Sequence, residues 1–458
     1  MSTRENKREA PVPVLALACI ARPTFAVDYA QQMATRALAA LQQEGWPVYG
    51  EARLLMDAQA AHEQALRLKE HEPDVLVLLC ATFSDASMVV ELADQLAVPV
   101  CLWALREPGA AGERLWLNSL CGAHIAAHAL RKTGRVVRYL YGDPGEENLF
   151  VPLAALARAA ATRRRLRASR LGLVGEAPTG FYGCQFDDLA LTRVIGTTVS
   201  RLDLQRVFSA ARSAPTSAVA AAIASTQERS PSLQALAPEE VQRFGAAYVA
   251  LRTFLKEQQL DGLAVRCWPE FPQDFGLMPC ATLGRLADDG FICACEADLH
   301  GAVTLLLLQW LSGAAPLLAD VVALNEETNT ISLWHCGNAP ACLARAGAAE
   351  EVPLTVHCNR RIGVAGNFAI RPGPATLARL GVGPDGYRLL YVEGEILDEP
   401  VNRFAGNTAV FRPITAARSL LDRLILDGWE HHVAFVAGHQ AQALEALAEL
   451  LQIEGVAL

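Results

Sequence analysis

The feature that most constrains this chain is a regular exchange between two hydrophobic periods across its first third. Residues 14–20 form an unbroken apolar run, and 28–43 carry the spacing of an amphipathic helix. An extended piece opens at 47–50, a helix covers 58–69, and 74–80 (DVLVLLC) reads as a strand buried on both faces. Helix at 85–96, strand at 99–105, helix at 117–133 and strand at 135–141 complete the rhythm. A strand without polar alternation has no face to give to water, so this order predicts a parallel sheet covered on both sides. In such sheets ligands sit beyond the carboxyl ends of the strands, which here offer Arg22 and the turn at 81–84.

At about 100–200 residues per domain, 458 residues make two to four domains. Hydrophobic residues at 52% against 19% charged supply large cores and exclude general disorder. A net charge of −9, with 40 Lys and Arg against 49 Asp and Glu, argues against a nucleic-acid surface, which needs clustered cations. The mean hydropathy of +0.20 raises the question of a membrane. The longest apolar runs, 75–81 and 303–311, fall far short of the roughly 20 residues that a spanning helix needs. The charged start MSTRENKREA leads into PVP, and Arg22-Pro23 follows the first apolar run where a signal peptide would place small residues. The chain is therefore expected to be cytoplasmic, with residues 1–11 a disordered tail.

A basic helix at 155–170 reads as a solvated connector. A second α/β unit follows to about 338, with a helix at 238–259, a strand at 262–266, an extended piece at 291–295 and an apolar run at 305–311. From about 354 the texture changes to short extended pieces and turn signals such as 371–374 (RPGP), with strands at 386–393 and 408–412 and a closing helix at 440–451. The expected fold is α/β: two doubly wound parallel-sheet (Rossmann- or flavodoxin-like) domains over 12–165 and 166–350, then a mainly β carboxyl-terminal domain over 351–458. The glycines at 171–183 are interrupted by Pro and aromatics, and no Gly-Lys-Ser/Thr loop occurs, which argues against NAD or ATP. Twelve cysteines are dispersed, several inside apolar runs (Cys19, Cys80, Cys101), with one C-x-C at Cys293 and Cys295 and no C-x-x-C. They read as reduced thiols serving as small core residues.

Polar residues concentrate in four stretches. Glu270 lies in RCWPEF (266–271), Glu296 and Asp298 in CEADLHG (295–301), His335 in WHCGNAP (334–340), and three histidines in WEHHVAFVAGH (429–439). Residues two apart on an extended segment share a face, so Glu296 and Asp298 can address one point. Carboxylates with imidazole suit Mn²⁺ or Mg²⁺ better than a structural zinc. Glu296 fits a helix cap as well as a ligand, and His431, beside Glu430, fits plain surface. Asp298 and His432 each abut a buried-looking segment, where an unpaired charge would be costly.

At these residues the chain resembles the L-fucose isomerase family, which is related to the L-arabinose isomerases. CEADLHGAVTLLLLQWL (295–311) followed by Leu318-Ala319-Asp320 is similar to that family's acid-x-Asp strand end, helix and F/L-A-D segment. Residues 333–339, IRPGPATLARL (370–380), Tyr391-Val392-Glu393-Gly394, the stretch from His432 to Gly438-His439, and Arg22-Pro23 match in order along nearly the whole chain. The resemblance implies three domains and an aldose–ketose isomerase working through a cis-enediol. It implies Mn²⁺, or another divalent cation such as Mg²⁺ or Co²⁺, held by Glu, Asp and His. Asp298 falls on the metal Asp and His432 on the metal His. Glu296 is the neighbouring acid, close to a metal glutamate of the arabinose branch. The fucose branch's metal glutamate falls where this chain has Cys280. Glu270, the nearest free carboxylate, is then the candidate base and ligand, with Asp298 as second ligand and proton partner and Asp274 in reserve. Arg22, Trp268, Glu296 and His335 are candidates for the sugar pocket. Family members are hexamers that build sites partly across protomers. Two other readings stay open: a non-catalytic sugar-binding protein, or an isomerase of a deoxy- or sulfo-sugar with Arg360 and Arg361 as an anion clamp instead of plain surface.

Overall fold

The computed structural model describes residues 8–345, 352–399 and 402–458, so most of the expected tail lies outside the described residues. The chain divides into two compact units. One comprises Pro11–Arg165 with Gln442–Gln452; the other comprises Leu166–Ala441 with Ile453–Leu458 and residues 8–10.

The amino-terminal unit is built on a parallel sheet in the order Val48–Tyr49, Leu15–Ile20, Val75–Cys80, Val100–Ala104, Val137–Tyr141, with Leu54–Leu55 pairing the end of Leu15–Ile20. Every residue of the three central strands is buried, which is why they carry no polar alternation. Helices Val27–Gln43, Ala58–Lys69, Ser87–Leu96 and Ser119–Lys132 alternate with them. Asp57 starts the second helix by accepting from the Ala60 N–H. The expected solvated connector is corrected here. Helix Val151–Leu166 is largely buried through its alanines and leucines, and its arginines are engaged: Arg164 pairs with Asp74 at 2.7 Å and Arg163 donates to the Leu450 carbonyl. Small residues let the helix approach closely while the long cations reach outward from it.

Among the described residues the larger unit holds two main sheets and a small one pairing Leu354–Thr355 with Ala365–Gly366. Four parallel strands run in the order Ile292–Ala294, Gly262–Val265, Arg170–Val174, Thr198–Leu202. Eight mainly antiparallel strands run in the order Phe368–Ala369, Asn407–Pro413, Thr330–His335, Leu317–Asn325, His432–Ala437, Gly373–Gly383, Gly386–Ile396, Glu454–Ala457. The protein is thus a mixed α/β structure with parallel sheets and a mainly β carboxyl-terminal region. That β region begins at Leu317, because Leu317–Asn325 pairs with His432–Ala437 and sets Asp320 opposite His432. Helix Leu299–Ser312 packs against strands of both main sheets, and all of it but Ser312 is buried, so its sequence is largely apolar, with His300, Thr304 and Gln309 as buried polar exceptions. No helix among the described residues is long and apolar enough to cross a membrane.

Candidate active site

The site grows from the segment that joins strand Ile292–Ala294 to the buried helix. Glu296 and Ala297 both take left-handed backbone conformations, with φ of 58° and 56°. Neither is glycine, and such strain clusters where a side chain must be aimed. The turn presents Glu296 and leaves Asp298 as the helix N-cap, its Oδ1 accepting the Gly301 N–H at 2.8 Å.

Asp298 is completely buried and fully engaged. Arg379 donates Nη1–H to Oδ2 at 2.7 Å and Nη2–H to Oδ1 at 3.1 Å, and His432 Nδ1 lies 2.8 Å from Oδ2. Burial alone would raise its pKa, but Arg379 and His432 reverse this and hold the carboxyl far below the usual range. An ionised carboxylate only accepts, so the His432 proton stands on Nδ1 and Nε2 keeps its lone pair. That Nε2 faces Glu296 Oε2 at 3.7 Å and Asp320 Oδ1 at 3.8 Å. His431 Nε2 lies 3.0 Å from Glu296 Oε2.

Ligand atoms of Glu296, His431, His432 and Cys184 all fall within 4.8 Å of one another. The carboxylates of Glu296, which also accepts from His431 Nε2–H, and of Asp320 converge on the lone pair of His432 Nε2, an oxygen-rich set with imidazole that a hard divalent cation fits. A buried carboxylate behind a ligating histidine is the usual way of fixing the ring for a metal. Burial and the Asp298 and Glu296 charges push the Cys184 thiol up, so it stands as a neutral neighbour. Around this group Trp268 donates Nε1–H to Glu296 Oε1 at 3.2 Å, and Phe181 meets both Trp268 and His431 edge to face. His335 stacks at 5.9 Å from His432, and its buried Nε2 has no hydrogen-bond partner among the described residues. The Arg360 guanidinium stands over Trp268, 5.9 Å from the ring centre.

Of the residues expected from sequence, the structure gathers Trp268, Glu296, Asp298, His335 and His432. Glu270 is ion-paired with Arg266 at 2.6 Å, and Asp274 accepts from Gln205 at 2.9 Å. Arg22 belongs to the amino-terminal unit, where it pairs with Asp85 at 3.3 Å. His431, read as surface, has a side chain 45% exposed yet is bonded to Glu296. Sequence reasoning missed Arg379, Asp320 and Phe181. Arg379 carried a usable signal, as a lone cation inside the apolar run 375–380 implies a buried counter-charge.

The chain carrying this site matches sugar isomerases of the fucose isomerase type. A family model described as the fucose/sulfoquinovose isomerase N-terminal domain matches residues 16–167, and one described as the L-fucose isomerase C-terminal domain matches 333–457. The chain belongs to the fucose isomerase family. It is 34% identical over 382 residues to a sulfoquinovose isomerase of Alkalicoccus urumqiensis, covering 83% of this chain and 85% of the relative. It is 30% identical over 436 residues to one of Priestia megaterium (95% and 97%), and 33% identical over 385 residues to one of a Clostridium species (83% and 86%). The chain is an aldose–ketose isomerase, which sets aside a purely sugar-binding role.

Proposed function

We propose that the chain is a divalent-metal-dependent isomerase of a sulfonated aldohexose, converting sulfoquinovose to the corresponding ketose. The observation that carries the proposal is the convergence of Glu296, His431, His432 and Asp320, taken with relatives of that name over most of the chain. Those four residues would hold the ion, Mn²⁺ in first place with Mg²⁺ or Co²⁺ as alternatives. Bound there, the ion would act as a Lewis acid on the carbonyl and neighbouring hydroxyl oxygens of the open-chain sugar.

The chain's own residues supply the rest. Asp298 and Arg379 keep His432 in the tautomer whose Nε2 faces the site. Asp320 is 30% exposed, and among the described residues its carboxylate accepts no hydrogen bond, which suits a group that takes the proton from C2 and returns it to C1. Glu270 and Asp298, the proton carriers expected from sequence, are instead held by Arg266 and by Arg379 with His432. The unengaged carboxylate of Asp320, and the position of Glu296 at 3.7 Å from His432 Nε2, therefore favour those two. Trp268 and Phe181 wall the site, and the buried Nε2 of His335 suits a sugar hydroxyl. Arg360 on Trp268 is the cation placed to receive a sulfonate, with Arg361 beside it in sequence. A cytoplasmic homo-hexamer is part of the same proposal and rests on the resemblance; light scattering on the purified protein tests the assembly.

The deciding experiment follows ketose formation by NMR from sulfoquinovose, its unsulfonated 6-deoxy counterpart and L-fucose, before and after chelation. Product from sulfoquinovose that disappears with EDTA and returns with Mn²⁺ is the expected result. Metal-independent turnover, or no preference for the sulfonate, overturns the reading.

A further inference from the structure

Beside the isomerase site lies a cluster of thiols that the sequence disperses. Cys280 Sγ and Cys336 Sγ are 3.4 Å apart, and Cys336 Sγ is 3.3 Å from His335 Nδ1. A ligand atom of His357 lies within 4.8 Å of both sulfurs. A metal ion is a poor occupant. His357 Nδ1 accepts the Asn359 and Arg360 N–H groups at 3.2 and 3.1 Å, so the ring proton stands on Nε2 and leaves no lone pair there for a metal. The same proton makes Nε2 a donor, which suits a negative sulfur.

We propose that Cys336 is a nucleophile toward hydroperoxides, and that Cys280 resolves its oxidation product into a Cys280–Cys336 disulfide. His335 Nδ1 accepts the Cys336 backbone N–H at 2.8 Å and lies 3.3 Å from Cys336 Sγ, so the same lone pair is in reach of the thiol proton, the relation of base to sulfur nucleophile. The Cys280 S–H, and then the His335 and His357 rings, hold the Cys336 thiol well below its ordinary range against the effect of burial. In the first step the Cys336 thiolate attacks the peroxide, takes its terminal oxygen to become a sulfenic acid, and releases an alkoxide or hydroxide. In the second, Cys280 attacks the Cys336 sulfur; the S–O bond breaks and the departing hydroxide leaves as water with the Cys280 proton. Cys280 opens helix Cys280–Asp288, and its bond to the Cys336 sulfur together with burial pushes its thiol up, so Cys280 keeps its proton while Cys336 is the thiolate. Cys336 is partly exposed and admits a small oxidant.

The test treats the full-length protein with limiting hydrogen peroxide, blocks free thiols and maps peptides by mass spectrometry. The expected result is a dithiothreitol-reversible crosslink of Cys280 to Cys336, formed about ten-fold faster than oxidation of the exposed Cys121 and Cys342. In Cys280→Ser, dimedone should label Cys336, because the sulfenic acid is no longer resolved. A crosslink between other cysteines, no crosslink in the wild type, or faster oxidation of Cys121 and Cys342 overturns the proposal. The wild-type mapping decides even if the variant does not fold.

Discussion

Asp298 and Arg379 form a two-point ion pair closed to solvent, with N–O distances of 2.7 and 3.1 Å and both side chains at most 1% exposed. Removing one member of such a pair costs about 3–5 kcal/mol, because the other charge is left buried. Asp298→Asn should therefore lower stability by about that amount in denaturant melts, with a weaker metal site as His432 loses its anchor. Replacing both with apolar residues, as Asp298→Leu with Arg379→Met, should cost less than the single change. A single variant within about 0.5 kcal/mol of wild type would rule out the pair as described.

The same pair fixes a pH dependence. The Asp298 carboxyl is depressed in the folded protein below its unfolded value of about 3.9. Its stabilisation is thus complete above about pH 4 and declines as pH falls from there toward the folded pKa. In EDTA-treated protein the stability gap between wild type and Asp298→Asn should be flat from pH 7 to about 4.5 and shrink below it. A gap that widens on acidification contradicts the ionised pair.

Glu296 and Glu270 make opposite predictions. Glu296→Gln should reduce turnover by about 100-fold or more and lower bound Mn²⁺ in parallel, measured by steady-state assay and elemental analysis. Glu270→Gln should leave bound metal unchanged, since Glu270 is held by Arg266. Loss of metal in Glu270→Gln with retention in Glu296→Gln would restore Glu270 as the ligand.

What the sequence disclosed followed range of contact. The strands of the amino-terminal unit were legible because Leu15–Ile20, Val75–Cys80 and Val100–Ala104 are buried on both faces and flanked by periodic helices. The turn bearing Glu296 and Asp298, and the His432 strand, were legible because charges abut apolar runs. Which carboxylate meets His432 Nε2 was not legible. Asp320 reaches it through a strand register set across 112 residues of sequence (432 − 320), and Asp298 is turned away by an arginine 81 residues further along. The thiol cluster was invisible for the same reason: Cys280 and Cys336 are 56 residues apart and show no ligand spacing.

Gly301 tests how tightly the helix start is built. A Cβ there would fall 2.5 Å from Asp298 Oδ2 and 3.0 Å from Arg379 Nη1, both fixed in place. Gly301→Ala should destabilise by about 1–3 kcal/mol in spite of alanine's higher helix propensity. A stabilised variant would show that the pair can shift without cost.

Arg360 addresses the substrate's anion. Its guanidinium lies over Trp268, whose indole N–H is bonded to Glu296, so one chain of contacts links the cation to the ligand set. A sulfonate bound by Arg360 touches the sugar far from C1 and C2, so its contribution is the same in ground and transition states. Arg360→Met should then raise KM for sulfoquinovose about ten-fold, the low end for a charged hydrogen bond at an exposed side chain, with kcat nearly unchanged. Turnover of the unsulfonated 6-deoxy sugar, however slow, should not change. An equal loss on both sugars would mean that Arg360 supports the Trp268 wall and that the sulfonate is bound elsewhere.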